Sequence, residues 1–523
     1  MLRRFLETVI DYAVCIYLVL ILAVMPFYNQ EGYNHIGTDK SEFFNTVSML
    51  TGSALIWLLF VYLILMLIKY RREFFEKLRD SLSVTDLFAA GYALALVISY
   101  HYSRYKDQAL WGAMGWYMGF WPQLFLVSVY FFTAKLWKPR KWMIYLMLAS
   151  SGAVFLLGYL NRFGVDPLGM GTDNASFIST VGNVNWYCGY LVTVFFAGAA
   201  LFWQQESEKM WVRLLLMCYV TVGFGTLVTQ GSDSGVVTLA VMLLVLFALS
   251  ARDLRRMQMF WQEMLLLGSS CIVTYLICMT VPKGVTLPED WYGYILVSGW
   301  RPFFVTGVSI AVLLCLHEME KKGIYPQKAV RTFAIALASA VAGGIVLVLG
   351  LAVVNTAWPG SIGPLSAHPF FTLSLEWGSY RGATWTIGWR CFLEQDFLHK
   401  LIGVGPDAMW AYLYREGSPE LFALTRECFG MQALTNAHNE WLTVLVDTGV
   451  LGLVCFAGMM LTGIRRFLKA GGQGNEKIVF ACGCSLLAHT VNCIFSFQQA
   501  MNTSALFAVF GIGAAFLAAE KNR

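Results

Sequence analysis

A histidine at the edge of an apolar segment is the residue of this chain best suited to chemistry. His438 is followed directly by Asn439 and then, further along, by Gly449 and Gly452, in the stretch AHNEWLTVLVDTGVLGL. A neutral imidazole can take a proton from a hydroxyl or donate a hydrogen bond near pH 7. Residues eleven apart on an α-helix point in nearly the same direction. His438 is therefore predicted to stand above a stripe of small residues, where another helix can come close.

The residues next to His438 predict a helix that starts at Ala437, with Asn436 as its cap. His438 would then lie in the first helical turn. There the partial positive charge of the helix favours an anion such as phosphate and disfavours the imidazolium. Two interpretations follow: a neutral base beside an anion, or an interfacial histidine that caps its helix and touches water. The rest of the chain decides between them.

The composition places this histidine in a membrane protein. The chain has 523 residues, of which 58% are hydrophobic and 13% are charged, against about 25% charged in soluble domains. The apolar residues form runs of roughly 16–24, the length that spans a bilayer. We predict an all-α polytopic membrane protein with about fourteen (12–14) transmembrane helices. The first run, from Val9 to Pro26, lacks a small-residue cleavage site and is predicted to be a span rather than a signal peptide.

The basic residues predict the orientation of these spans. Basic connections fall on one side of a fourteen-span arrangement, at 1–4, 69–79, 135–141, 252–256, 321–331, 465–477 and 521–523. By the positive-inside rule this side is the cytoplasm, so both termini are predicted to be cytoplasmic. The formal net charge of +5 then reflects topology rather than nucleic-acid binding.

The predicted membrane domain divides into four segments. They are N-terminal spans at 1–160, central spans at 161–354, a large external loop at 355–437 and C-terminal spans at 438–523. So long a loop is usually functional or disordered. Its five tryptophans favour short helices on the membrane surface, interrupted by the turn Gly403-Val-Gly-Pro406. Cys391 and Cys428 both lie in this loop, where they could pair in an oxidising compartment or stay free.

Three patterns, in this order, resemble the O-antigen ligase and polymerase superfamily of bacterial membrane glycosyltransferases. They are Val181-Gly-Asn-Val-Asn-Trp186, then Ser379-Tyr-Arg-Gly-Ala-Thr-Trp385 with Leu401-Ile-Gly-Val-Gly-Pro-Asp407, and His-Asn-x9-Gly-x-x-Gly from His438. The resemblance covers roughly 180–455 and implies a GT-C-like arrangement in the cytoplasmic (inner) membrane. It also implies transfer of a glycan from a polyprenyl-pyrophosphate-linked donor to a lipid, glycan or protein acceptor at the outer face, by an inverting mechanism without metal or cofactor.

The resemblance assigns roles to three residues. His438 is the predicted catalytic base for the acceptor hydroxyl, and Asn439 beside it is predicted to contact the donor. Arg381 matches the arginine of the family's loop pattern and is predicted to hold the pyrophosphate by bidentate hydrogen bonds. Its alternative interpretation is a solvated loop arginine.

One departure from the family pattern concerns the positive charge. Many relatives carry an arginine after a serine near position 230, where this chain has Gln230-Gly-Ser-Asp-Ser-Gly235. Arg301 is the predicted replacement at the pyrophosphate; its alternative is the ordinary belt of interfacial residues. Asp233 or Ser234 most simply caps the next helix. Otherwise Asp233 orients Arg381 or takes part in acceptor activation.

Other polar residues are assigned by position. Asn183 and Asn185 are predicted either to contact sugar hydroxyls or to cap the span that follows, with Asn185 as the cap. Asp447 faces away from His438 on a helix and is predicted to pair with a polar group of a neighbouring helix. His489 and Asn492 are predicted to form hydrogen bonds inside the bundle.

Two other classes of function fit a polytopic chain: a transporter or flippase of lipid-linked glycan, and a scaffold subunit of envelope assembly. Transporters usually show internal repeats and polar groups at the midplane of broken helices. In this chain the polar groups concentrate at one predicted face. A scaffold would not need His438 and Arg381 together.

Overall fold

The computed structural model of the chain describes residues 1–70, 72, 76, 81–171, 175–204, 209–281, 287, 292–368, 371–470 and 476–521. Parts of the predicted basic connections at 69–79, 465–477 and 521–523 therefore lie outside the described residues. The helices are α1 (Leu2–Val19, extended by a π-turn at Leu20–Val24), α2 (Ile36–Lys69), α3 (Val84–Tyr102), α4 (Lys106–Trp111), α5 (Phe120–Leu136), α6 (Lys141–Arg162), α7 (Val184–Trp203), α8 (Met210–Thr229), α9 (Asp233–Ser250), α10 (Leu254–Thr280), α11 (Tyr292–Leu296), α12 (Arg301–Lys321), α13 (Gln327–Ala357), α14 (Trp377–Glu394), α15 (Phe397–Ile402), α16 (Met409–Arg415), α17 (Pro419–Phe429), α18 (Glu440–Lys469), α19 (Glu476–Asn492) and α20 (Ala500–Lys521).

The helices confirm the predicted fold class. Within the described ranges, twelve helices are long and apolar enough to cross a membrane. The two remaining predicted spans are present as α5 and α19, each of 17 residues, or about 25 Å of helix. The protein is an all-α polytopic membrane protein. A two-residue antiparallel pair, β1 (Phe177–Ile178) and β2 (Gly182–Asn183), folds the connection before α7.

Burial separates a central group of helices from a peripheral one. The apolar stretches of α7 and α20 are 89% and 94% buried, whereas those of α2 and α13 are 11% and 6% buried. The centre of α7 is rich in small residues, from Ala197 to Ala200, which let neighbouring helices approach closely. Around it pack α8, α19 and α20. The polar ends of these central helices carry the candidate site.

The predicted external loop at 355–437 folds into short helices, α14 to α17, as expected, after a 3₁₀ turn at Gly363–Ala367. It packs on the first half of α18 through a small apolar core of its own, to which Ile387, Met409, Leu421 and Val446 belong. We call this end of the bundle the loop end. Cys391 is buried, Cys428 is half-buried and both carry free thiols.

The glycines of the His438 pattern serve a close approach, but not the predicted one. α18 begins at Glu440 and is kinked at Gly449, where φ is 68°. A Cβ atom at Gly449 would lie 2.3 Å from the carbonyl carbon of Leu401, so only glycine fits. The turn that follows α15 then forms hydrogen bonds with the backbone of α18 just before the kink. Gly405 N donates to the Asp447 carbonyl over 3.0 Å. The prediction of one helix carrying both His438 and Gly449 is wrong, and the backbone that approaches Gly449 is that of Leu401 and Ile402, directly before the Gly403-Val-Gly-Pro406 turn.

Candidate active site

His438 lies in the loop directly before α18, not in its first turn. Asn439 is the N-cap, and its Oδ1 accepts from Leu442 N over 3.1 Å. Asn436, the predicted cap, instead uses its Oδ1 to accept from His438 N over 2.9 Å. That short turn holds His438 in the left-handed region, with φ of 49°. A non-glycine residue keeps this conformation only where its surroundings enforce it.

The His438 imidazole is half-buried and packs edge-on against Phe497, with 5.1 Å between ring centroids. Burial and, second, the positive charge of Arg381 lower the pKa of His438 to about 4. The imidazole is therefore neutral at pH 7. This is the protonation state that the sequence predicted, but burial and Arg381 account for it rather than a position inside the first helical turn.

Arg381 follows three consecutive left-handed residues at the start of α14: Gly378, Ser379 and Tyr380. Its Nε and Nη2 atoms both donate to the carbonyl oxygen of Phe495, over 3.2 and 3.0 Å, and its Nη1 donates to the Gly378 carbonyl. Burial lowers the pKa of the guanidinium, and the Asp233 carboxylate opposes this effect. The group stays cationic at pH 7. The interpretation as a freely solvated loop arginine does not describe this side chain.

One loop, 493–499, holds both Arg381 and His438 in place. It offers the Phe495 carbonyl to Arg381 and the Phe497 ring to His438. The loop is itself fastened to the start of α18. Glu440 N donates to the carbonyls of Cys493 and Ser496, and Glu440 Oε2 accepts from Gln498 N over 2.7 Å. Sequence reasoning missed this loop. Its only signal was a polar run, Ser496 to Gln499, between two apolar segments.

Asp233 lies on the Arg381 side of the site. It is the first residue of α9, and Ser232 occupies the N-cap position, so the predicted capping by Asp233 or Ser234 is wrong. Asp233 Oδ1 accepts from Tyr292 N over 3.4 Å. The effect of its charge on Arg381 fits the alternative, in which Asp233 orients that arginine.

Of the two asparagines at the start of α7, Asn183 caps the helix, so the prediction of Asn185 as the cap is wrong. The Asn183 Oδ1 accepts from Asn185 N over 2.9 Å, because α7 starts at Val184, two residues earlier than expected. Asn185 Oδ1 accepts from the Ser232 hydroxyl over 2.8 Å. The 181–186 segment is thus joined to the connection before α9.

A buried polar network continues below this point. Ser234 accepts from Asn492 Nδ2 over 3.0 Å, and His489 Nδ1 bonds with the Thr193 hydroxyl over 2.7 Å. The predicted hydrogen bonds of His489 and Asn492 inside the bundle are confirmed.

Two further arginines lie at the loop end. Arg301 begins α12, is exposed, and donates from Nη1 to the Ser298 hydroxyl over 3.1 Å. This contact is within its own turn, so its role at a pyrophosphate stays a prediction. Arg162, which sequence reasoning missed, is buried. It donates to the carbonyls of Ala175 and Gln230 over 2.8 and 2.6 Å, which fixes the connection that leads to Asp233.

Behind Phe497 lies a cluster of three buried acids: Asp407, Glu440 and Asp447. They line a cavity of about 20 Å³, enough for one water molecule. Asp447 accepts from the backbone N–H groups of Asp407 and Met409, over 3.1 and 2.9 Å. Its predicted partner on a neighbouring helix is thus replaced by the backbone of the external loop.

Asp407 has an equivalent arrangement. Its Oδ2 accepts from Ala113 N and Met118 N over 2.7 and 3.2 Å. Burial raises the pKa of Asp407 to about 7, although these hydrogen bonds act in the opposite direction. Among the described residues, the structure places no group of three or more His, Cys, Asp or Glu side chains so that it could hold a metal ion.

A protein-family model matches the part of the chain that carries these residues. Residues 293–457 match the family model described as O-antigen ligase, a range that contains Arg381, the Gly403-Val-Gly-Pro406 turn and His438. The predicted resemblance is confirmed over this range. The match indicates glycan transfer of the O-antigen ligase or polymerase type, and hence an enzyme. No curated protein matches the chain.

Proposed function

We propose that this chain, with its O-antigen ligase domain at residues 293–457, transfers a glycan from a polyprenyl-pyrophosphate-linked donor to an acceptor hydroxyl. The acceptor belongs to a lipid, a growing glycan or a protein. The single observation that carries the proposal is the pairing of a neutral His438 with a cationic Arg381, both held by the 493–499 loop.

The proposed reaction is a single displacement at the sugar. His438 takes the proton of the acceptor hydroxyl, and the acceptor oxygen attacks the anomeric carbon. The bond from that carbon to the phosphate oxygen breaks, and its electron pair leaves with the lipid pyrophosphate. The anomeric configuration is inverted, and the proton then passes from His438 to water. A base that stays neutral well below pH 7 is ready for this step at physiological pH.

Arg381 is proposed to stabilise the leaving pyrophosphate. Negative charge accumulates on the phosphate oxygens as the bond breaks, and a preorganised cation in a half-buried place is worth more there than in water. The Phe495 carbonyl fixes the guanidinium by two of its donors. The cation is thus positioned before the substrate arrives, with little left to reorganise.

The other predicted site residues are proposed as supporting contacts. Arg301 supplies a second cation toward the donor phosphates or the lipid headgroups, and Asn439 contacts the donor beside His438. Asp233 orients Arg381 through its charge. Asn183 and Asn185 contact sugar hydroxyls from the connection that Ser232 joins. We propose that the reaction needs no metal.

The site is proposed to face outward from the cytoplasmic (inner) membrane of a bacterium. The basic connections lie on the opposite side of the fourteen-span arrangement, which puts both termini in the cytoplasm by the positive-inside rule. The loop end then meets donors that have already been moved across the membrane.

Complementation of a deletion strain tests the proposal. His438→Ala should abolish glycan transfer, whereas His399→Ala, in the same external loop, should retain it, since His399 pairs with Asp396 near the surface. Both variants must be present in the membrane at the level of the unaltered protein.

The surface glycan then reports the reaction type. Single repeat units on the acceptor indicate lost polymerisation, and unattached long chains indicate lost ligation. Full transfer by His438→Ala would overturn the proposal. Movement of lipid-linked glycan across vesicles, unaffected by His438→Ala, would favour a flippase instead.

A further inference from the structure

An exposed apolar surface lies on α14 and α15, two helices of the external loop. Trp389 and Leu393 on α14, with Phe397 and Leu398 on α15, are all exposed, and Phe397 keeps 78% of its surface accessible. Trp389 and Leu393 are four residues apart and lie on one side of α14, and Phe397 and Leu398 follow at the start of α15. The opposite side of α14, with Ile387, Gly388 and Cys391, is buried against the protein. The α14–α15 segment is therefore amphipathic.

The depth of this surface follows from its contact with α18. The backbone at the end of α15, at Leu401 and Ile402, touches α18 at Gly449. From Gly449 to the basic pair Arg465 and Arg466 there are sixteen residues, about 24 Å of helix. Basic residues mark the edge of the hydrocarbon, which is about 30 Å thick. Gly449 thus lies about 6 Å inside the opposite edge, together with the end of α15, and the nine residues before Gly449 continue about 13 Å toward and past that edge.

The spans next to α15 also expose apolar side chains. Val450, Leu451 and Val454 on α18 are exposed just past Gly449. Helix α15 packs on both α18 and α3, and α3 exposes Leu94 and Val97. Because α15 packs on two spanning helices that expose apolar side chains, its own exposed apolar side chains are expected to meet the same surroundings.

The charged neighbours fit a lipid surface. Arg390 is exposed beside Trp389, and Lys400 is half-exposed at the end of α15; long basic side chains reach headgroups from an apolar position. The acidic neighbours are Glu394, which accepts from Ser418, and Asp396, which accepts from His399. Both acids are engaged with the protein.

We propose that the surface formed by Trp389, Leu393, Phe397 and Leu398 inserts into the boundary between headgroups and acyl chains of the leaflet at the loop end. The occupant is phospholipid. The α14–α15 segment thereby anchors the external loop to the membrane and fixes the height of Arg381, at the other end of α14. This inference rests on the depth of the surface and on the exposed apolar side chains of the neighbouring spans, and does not depend on the proposed reaction.

Photocrosslinking in lipid nanodiscs tests it. The photoreactive residue p-benzoylphenylalanine replaces Phe397 in one variant, Leu393 in a second, and Glu420 in a control. Glu420 is an exposed residue of α17 in the same external loop. All three variants must elute as monodisperse full-length protein before irradiation.

Mass spectrometry should find phospholipid adducts at 397 and 393, and none at 420. Absence of lipid adducts at both 397 and 393 would overturn the proposal. Crosslinks from these positions to a second copy of the chain would overturn it as well, since the surface would then be a protein interface. Equal lipid labelling at 420 would show that the whole loop contacts lipid, without the specific anchor.

Discussion

Two groups of ionisable residues lie at the loop end, on either side of Phe497. They differ in how far their side chains are buried and in what they bind. In the region of Arg381 and His438, the ionisable side chains are half-buried, and both residues stand in or next to left-handed backbone. In the acid cluster, Asp407, Glu440 and Asp447 are buried, and each accepts hydrogen bonds from backbone N–H groups of a distant segment.

This difference separates residues that can bind a ligand from residues that stabilise the fold. A buried carboxylate that accepts from backbone N–H groups is satisfied by the fold and leaves little for a substrate. A half-buried cation beside a neutral base still has a side open to a ligand. This difference supports the proposal that Arg381 and His438 act in catalysis, whereas the acids hold the loop in place.

The largest expected effect is on the reaction. Arg381→Ala should lower the rate of glycan transfer by about 10²–10³-fold, the loss typical of one preorganised donor, with little change in melting temperature. Arg390→Ala is the matched control, since Arg390 lies on the same helix but is exposed, and it should keep full activity. The measurement is transfer by purified protein with lipid-linked donor. If Arg390→Ala lost as much transfer activity as Arg381→Ala, the catalytic role proposed for Arg381 would be contradicted.

The acid cluster should respond in stability instead. Asp447→Ala leaves the N–H groups of Asp407 and Met409 without their acceptor, which should cost about 2–4 kcal/mol of unfolding free energy. Asp447→Asn keeps an acceptor and should lose less. Thermal unfolding in detergent measures both variants. If Asp447→Ala lost glycan transfer without a change in melting temperature, Asp447 would have a role in the reaction and not in stability.

The pH dependence of transfer should show the shifted histidine. Burial and Arg381 lower the pKa of His438 from 6.5 to about 4, so the acid limb of the rate profile that belongs to this base should lie near pH 4. The same shift lowers folded stability as pH falls from about 6.5 through about 4, since the unfolded chain binds the proton more readily. In Arg381→Gln the acid limb should move to higher pH, because the positive charge that lowers the pKa of His438 is removed. A limb at 6.5 in the unaltered protein would contradict the burial of the base.

The smallest effect is expected from Asp407. Burial raises its pKa from 3.8 to about 7, so its contribution to folded stability is fully present below about pH 3.8 and is lost as pH rises through about 7. In Asp407→Asn an amide oxygen can still accept from Ala113 N and Met118 N, and asparagine tolerates the left-handed backbone. The difference in melting temperature between pH 4.5 and pH 7.5 should therefore shrink. An unchanged difference would place the titrating group elsewhere.

Much of the fold followed from local patterns. Each apolar run predicted a helix that the structure contains, because a span needs only length and apolar side chains. The helix starts were predicted less well. At α7 and α18 a different asparagine caps each helix from the one expected, since neighbouring residues compete for the same free N–H groups.

The chain alone determined that this is a polytopic membrane protein with a long folded loop before the span that follows His438. It also singled out His438 and Arg381, since their types and spacing are properties of the chain itself. Only the tertiary structure decided what surrounds these residues. Arg381 meets a carbonyl 114 residues away, and Glu440 is held by a residue 58 positions later. Burial and partners at such separations depend on how the spans pack, so the neutral base and its fixed cation exist only in the folded protein.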